Sequence, residues 1–330
     1  MSLRGKVTLV TGADGFIGSH LVDRLVADGA NVRALCCYNS NGSLGWLDEM
    51  DRDLLSGVDV RLGDIRDSGF VDDVVEGCEV VLHLAALISI PYSYQAPRAF
   101  AETNVLGTLN VLEGSRRHGV ARMVHTSTSE VYGTPLSTPI TEAHPLMPQS
   151  PYAATKVGAD MLAYAWSRSF DLPVVCLRPF NTYGPRQSAR AIIPTVLGQL
   201  LAGCDELRVG SVTPRRDFTF VTDTVDGFVR ATEVELESGS TVQLGTGRTV
   251  SVADIIEMAF EVVGRRVPVR EDDRRMRPPR SEVEVLISDP SRAAELLGWT
   301  STVGLEEGLH RTAHWLAGRV DAASATRYLR

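Results

Sequence analysis

Lysine is almost missing from this chain. Of its 33 basic residues only Lys6 and Lys156 are lysine, and the other 31 are arginine. Where a chain this biased keeps a lysine, a compact ammonium is needed that a planar guanidinium cannot replace. Lys6 merely flanks the first strand, whereas Lys156 calls for a chemical reason. Cysteine is also scarce: Cys36, Cys37, Cys78, Cys176 and Cys204 are odd in number and fit no zinc spacing. Free thiols in a reducing cytosol are expected, and no metal. No apolar run is long enough to cross a bilayer. No leader precedes the strand-like stretch at Lys6–Val10, so a cytoplasmic protein without a membrane partner is expected. The net charge of −8 carries no basic stripe, which argues against nucleic acid. Internal repeats and low-complexity tracts are absent too.

What remains is a chain of 330 residues, 44% apolar, enough for two lobes. Short β-rich runs alternate with helical patterns through the first half. "KVTLVTG", "NVRALC", "DVRLGD", "EVVLHLAA", "RMVHTS" and "PVVCLRPFN" read as strands. Residues 16–28, 99–119 and 151–170 read as helices. Nearly continuous apolar strands between helices predict a parallel sheet covered on both faces. The fold class is therefore α/β: a Rossmann doubly wound parallel sheet with a smaller C-terminal α/β substrate-binding lobe. The expected division is 1–178 for the dinucleotide domain, 179–320 for the second lobe with part of the chain free to return, and 321–330 for a loose tail. After Asn181 the pattern loosens into a helix at 191–203, loops and short strands, and a last helix near 306–318.

"VTGADGFIGSHL" sets Gly12, Gly15 and Gly18 between the first strand and first helix. Glycines there allow a tight turn and let the backbone approach a pyrophosphate at a helix N-terminus. The carboxylate that usually binds the adenosine ribose is missing, and Cys36 stands in its place. Cys37 and Tyr38 follow, with no arginine to serve a 2′-phosphate, so NAD is expected in preference to NADP. "GDIRD" offers Asp64 to the adenine amine. "HLAA" lets the chain pass close to the cofactor at Ala85 and Ala86.

"PYAATK" puts Tyr152 and Lys156 one helical turn apart on one face. An ammonium beside a phenol favours the phenolate, which can take a hydroxyl proton while the neighbouring carbon gives up hydride. "HTSTSEVYG" adds Thr128, Ser129 and Glu130 at the end of a buried strand, where a carboxylate is costly unless used or paired.

These segments resemble the extended short-chain dehydrogenase/reductase family from Lys6 to about Trp299. "TGADGFIG", "GDIRD", "HLAA", "TSTSEVYG", "YAATK", "RPFNTYGPR", "RRDFTFVTD" and "LLGW" occur in the family's order. The resemblance implies that Tyr152 is the base, Lys156 holds the nicotinamide ribose and Thr128 bonds the sugar 4-oxygen. It implies further cofactor contacts at Phe16, Ile17, Asn39, Ser40, Ile65, Leu84 and Pro179. Substrate contacts are implied at Ser89, Tyr92, Asn181 and Arg190, with Arg216 and Arg277 converging on a nucleotide diphosphate. A homodimer through helices near 100–118 and 152–170 is also implied.

Within the family, Thr-Ser-Glu at 128–130 looks like a nucleotide-sugar 4,6-dehydratase. Once C4 is a ketone, the C5 proton is acidic, and Glu130 can remove it. Many dehydratases carry Asp where this chain has Ser129, so Glu130 alone, or Ser129 through water, would serve the leaving hydroxyl. The further likeness is to legionaminic-acid-type UDP-N-acetylglucosamine 4,6-dehydratases. UDP-glucuronate decarboxylase, UDP-N-acetylglucosamine 5,6-dehydratase and 4-epimerase remain alternatives. A dinucleotide-sensing protein without chemistry would have lost the Tyr-x-x-x-Lys pair.

Overall fold

The computed structural model describes residues 2–321, so residues 322–330 of the expected loose tail lie outside the described residues. Six strands before residue 180 form most of one parallel sheet: β1 (Val7–Thr11), β2 (Asn31–Cys37), β3 (Asp59–Gly63), β4 (Val80–His83), β5 (Arg122–Thr126) and β6 (Val174–Pro179). Burial explains the apolar runs, since all four residues of β4 and all six of β6 are enclosed. From one edge the order is the Thr241–Leu244 strand, then β6, β5, β4, β1, β2 and β3. The order reverses between β1 and β4, whose paired last residues, Thr11 and His83, open a crevice at the C-terminal edge. Ligands of doubly wound sheets bind at such a switch point.

The seventh strand comes from the second half of the chain and pairs in parallel with β6, Thr241 against Cys176 and Leu244 against Pro179. The helix Val221–Glu233 leads into it and packs on the sheet beside helix α1 (Phe16–Ala27). The sheet thus does not end at residue 178. The sequence pattern left both this helix and Val252–Val263 as loop. In the first, "VTDTVDGF" mixes β-formers with a glycine, and Gly227 lets the helix pack closely on the Leu244 side chain, which a Cβ there would displace. The second is announced by Ser251 and Asp254, which form a capping box.

The helix expected over 99–119 runs as Pro97–Phe100 and Gly107–Arg117, joined by a π-helical turn at Ala101–Leu106. Asn104 sits in that turn, buried, and grips Leu87 from both sides: its Oδ1 accepts the Leu87 amide at 2.8 Å and its Nδ2 donates to the Leu87 carbonyl at 2.9 Å. The wide turn brings a side-chain amide to a loop that needs both a donor and an acceptor. In the second lobe the helices Ile192–Leu201, Val252–Val263 and Leu305–Leu316 pack together. Beside them a small three-stranded sheet holds Arg216 on its central strand, Arg215–Arg216.

Candidate active site

The glycine loop is shaped by close backbone approach. Gly12 adopts φ +69°, and a Cβ there would stand 2.9 Å from the Ala85 backbone. At Gly18 a Cβ would stand 2.1 Å from the Gly12 carbonyl. Gly15 caps α1 without a side-chain hydrogen bond, and no acidic residue occupies the first turn. The free amides at this helix start, including those of Phe16 and Ile17, therefore suit a pyrophosphate. Leu84 and Ala85 run against this loop, both amides donating to Thr11 Oγ1 at 3.1 Å, and Ala86 follows them. Thr11 Oγ1 bonds His83 Nδ1 at 2.8 Å, and His83 Nε2 bonds Thr108 Oγ1 at 3.0 Å. Burial, with His125 and Lys156 nearby, holds His83 neutral, its pKa well below the usual histidine value.

At the adenosine end the predicted residues are differently engaged. Both oxygens of Asp64 are taken by Arg66, whose hydrogen bonds hold the carboxyl below its ordinary pKa. Ile65 is buried, and a Cβ on Gly107 would meet its Cδ1 at 2.6 Å. Asn39 spends its side-chain amide on its own loop, accepting from Asn41 and Ser43 and donating to Cys37 and Ser43. Ser40 is exposed. Cys36 is fully buried, so the ribose position inferred for it is in fact a core position.

The β5 end and the helix Pro151–Ser169 bring the chemical residues together. Thr128 caps the short 3₁₀ turn Ser129–Tyr132, its Oγ1 accepting the Glu130 amide at 3.3 Å. Tyr152, in the helix's first turn, lies near enough to Thr128 for that residue to favour its ionised form. Ser129 is buried, and Glu130 is nearly so at 13% side-chain exposure. Burial raises the Tyr152 pKa, with Glu130 and Asp160 adding to the rise and Thr128 opposing it. Lys156 does not outweigh that burial, which favours the neutral phenol at Tyr152. Lys156 is 4% exposed, and burial lowers its pKa against the pull of Asp160. Its ammonium makes no ion pair within 4 Å among the described residues. A buried cation without a partner needs acceptors, and ribose hydroxyls qualify.

Beneath Lys156 lies a charge network that the sequence reading missed. Asp160, 3% exposed, accepts from Ser127 Oγ at 2.6 Å, His125 Nε2 at 3.1 Å and Arg178 Nη2 at 3.0 Å. Burial alone would raise its pKa, but His125, Arg178 and Lys156 hold it well below the carboxylate range. Arg178 continues to Tyr132 at 3.1 Å, and Tyr132 donates to Gln243 of the seventh strand at 3.2 Å. The one signal available was the i, i+4 spacing of Lys156 and Asp160.

The question of what pairs Glu130 has a structural answer. Arg277 Nη1 lies 3.7 Å from Glu130 Oε1 and 3.5 Å from Glu282 Oε1. Arg216 Nη2 donates to that same Glu282 oxygen at 3.0 Å. The two arginines therefore do converge, gathered by a carboxylate absent from the sequence expectations. Asn181 keeps a buried Oδ1 without a hydrogen bond, and Pro179 is buried at the end of β6. Ser89 starts the short helix Ile90–Ser93, and Tyr92 is partly exposed within it. Arg190 is exposed, and its side chain donates a hydrogen bond to Ser188.

Comparison with known proteins follows this geometry. The sequence model of the GDP-mannose 4,6-dehydratase family matches residues 9–312. A UDP-glucose 4-epimerase of Mycolicibacterium smegmatis is 36% identical, over 94% of this chain and 99% of its own. Among solved structures, the dTDP-glucose 4,6-dehydratase DesIV of Streptomyces venezuelae, with NAD bound, superposes with a TM-score of 0.84 at 30% identity. That match covers 94% of this chain and 97% of DesIV. A UDP-glucose 4-epimerase of Thermotoga maritima, with UDP-glucose, gives 0.84 at 30% identity, over 94% and 98% of the two chains. Dehydratases and epimerases alike are thus similar to this chain over nearly its whole length. The chain belongs to the GDP-mannose 4,6-dehydratase family of extended short-chain dehydrogenase/reductases, enzymes that act on nucleotide sugars.

Proposed function

We propose that the protein is an NAD-dependent nucleotide-sugar 4,6-dehydratase, a hydro-lyase acting on UDP-N-acetylglucosamine. The observation that carries this reading is the Glu130 carboxylate, set on the same turn as Thr128 and electrostatically coupled to Tyr152. Exchanging the configuration at C4 needs no carboxylate there, whereas removing a proton from C5 does.

In this reading the glycine loop with Gly12, Gly15 and Gly18 holds the pyrophosphate, and Lys156 binds the nicotinamide ribose. A nicotinamide held by these residues would supply a reversible hydride acceptor and a positive charge near Tyr152. Tyr152 accepts the C4 hydroxyl proton, with Thr128 orienting that oxygen. Glu130 removes the C5 proton. The proton then goes to the departing C6 oxygen, from Glu130 directly or through Ser129 and a water. Water leaves, and as hydride returns to C6 of the alkene a proton from solvent is added at C5. Arg216, Arg277 and Asn181 hold the diphosphate, and Ser89 and Tyr92 border the sugar. The UDP-sugar preference rests on the likeness carried together by "CCYNS", "LISIPYSY", "RPFNTYGPRQSARAIIP" and "RPPRSEVE".

The 36% identity to an epimerase favours a second reading, C4 epimerisation on the same framework. Incubation with a panel of UDP-, GDP- and dTDP-sugars in D2O separates the readings. A dehydratase gives a 4-keto-6-deoxy product with deuterium at C5. An epimerase gives neither water loss nor exchange, a decarboxylase releases carbon dioxide, and a 5,6-dehydratase leaves an alkene. Free cysteines fit the cytoplasmic setting, and no helix among the described residues is long and apolar enough to cross a membrane. Exposed Leu106, Met161 and Tyr164 support a homodimer through the helices that carry them, which light scattering would measure.

A further inference from the structure

The ribose-binding carboxylate expected after β2 is missing, and Cys36 cannot stand in for it. Its side chain is fully buried in the main apolar cluster, and burial pushes its thiol up to about 12. A neutral sulfur turned into the core meets no ribose.

A carboxylate reaches the same place from another segment. Asp14, between Gly12 and Gly15, crosses to the end of β2, where its Oδ2 accepts the Cys37 amide at 3.2 Å. It is half-buried, and burial raises its pKa while the Cys37 amide opposes the rise. Its position is fixed from the other side as well. The Asp14 carbonyl accepts the Trp46 amide at 3.1 Å, and a Cβ on Gly45 would lie 2.4 Å from that oxygen.

The charges around it point the same way. Asp48 accepts from Ser43 and Leu44 in the loop beyond β2. Asp64 ends the next strand and takes up Arg66 through both its oxygens. Tyr38, Asn39 and Ser40 bring no cation, and the Asn39 amide is already spent. The adenosine rim therefore carries three carboxylates and one arginine, which is already paired. A 2′-phosphate needs a free cation at this point, and a 2′-hydroxyl needs an acceptor.

We propose that Asp14 is the cofactor-specificity residue: its carboxylate accepts the adenosine ribose hydroxyl and repels a 2′-phosphate, so the chain takes NAD and rejects NADP. The assignment rests on the cofactor reading above and adds a repulsive element to it. Asp14→Asn isolates the charge, because the amide keeps an oxygen for the Cys37 N–H. Asp14→Ser also removes the charge with a smaller side chain, and unliganded melting curves identify any variant that fails to fold.

The test is equilibrium binding of NADH and NADPH to the full-length protein stripped of nucleotide, followed by cofactor fluorescence. The wild type should prefer NADH by on the order of 100-fold, and Asp14→Asn and Asp14→Ser should each narrow that ratio about 10-fold. Most of the change should appear as tighter NADPH binding. Equal affinity of the wild type for both nucleotides, or an unchanged ratio in a folded Asp14→Asn, would overturn the assignment while leaving dinucleotide binding intact. Binding of neither nucleotide would overturn the cofactor reading and this assignment with it.

Discussion

On the glycine-loop side of the cleft the groups suited to a pyrophosphate are backbone amides. On the arginine side they are charged side chains. The first side is dictated by neighbours in sequence: a strand, three glycines and a helix start within a dozen residues. The second gathers Glu130, Arg216, Arg277 and Glu282 from three separate segments into one cluster of alternating charge. Backbone cradles tolerate little change in shape, whereas charge clusters tolerate changes in partner. Related chains can therefore keep one half of the cleft while the other half takes on a new substrate.

Breaking each part in turn sharpens this contrast. The largest effect belongs to the residue between the two sides. Tyr152→Phe keeps the packing and removes the proton acceptor, so C4 oxidation should fall by about 10²–10⁴-fold, read as NADH formation in a single turnover. Unchanged single-turnover NADH formation would remove Tyr152 from its role. Glu130→Gln should lower overall turnover by a similar ~10²–10⁴-fold through a different step. C4 oxidation persists, NADH accumulates, and C5 deuterium exchange disappears by mass spectrometry. Exchange at the native rate would pass the proton transfer to Ser129 or a bound water.

Asp160→Asn tests the support beneath both sides and should cost about 3–5 kcal/mol in chemical denaturation, because Arg178 is left buried without its anion. The carboxyl pKa of Asp160 is depressed in the fold, so its contribution is present above the ordinary carboxylate pKa of about 3.9. It should be lost as the pH falls below that value, and the acid limb of the wild-type stability curve should flatten in the variant. The smallest effect is expected at the arginine pair. Arg216→Met should weaken UDP binding by roughly 10-fold, the scale of one charged hydrogen bond. Single-turnover C4 oxidation at saturating substrate should hardly move. Equal losses in binding and oxidation would show that the charge cluster is no mere anchor.

The same contrast explains what the sequence could reveal. The strands, the glycine loop and the Tyr152–Lys156 helix are legible because their signals are periodic or local. Arg277 was legible as a cation, but its pairing with Glu130 was not, since the two lie 147 positions apart in chain order. Cys36 is the exception: its place near the end of β2 gives no sign in sequence of which way the sulfur turns, and burial decides that. The helix Val221–Glu233 was missed because local propensity, with β-formers around a glycine, opposed what packing against α1 and Leu244 imposed. The π-helical turn had no local signal: it follows from Asn104 reaching Leu87, a contact known only once the loop after β4 is placed.

The late seventh strand bears on how the chain is made. During synthesis β6 has no partner on its outer edge until Leu244 has emerged, since the strand that covers it spans Thr241–Leu244. Until then a fully enclosed strand of the finished protein is an open apolar edge, the kind that recruits other chains. A fragment cut at the apparent lobe boundary would keep that edge permanently. Aggregation, rather than an independent nucleotide-binding domain, is what such a truncation should yield.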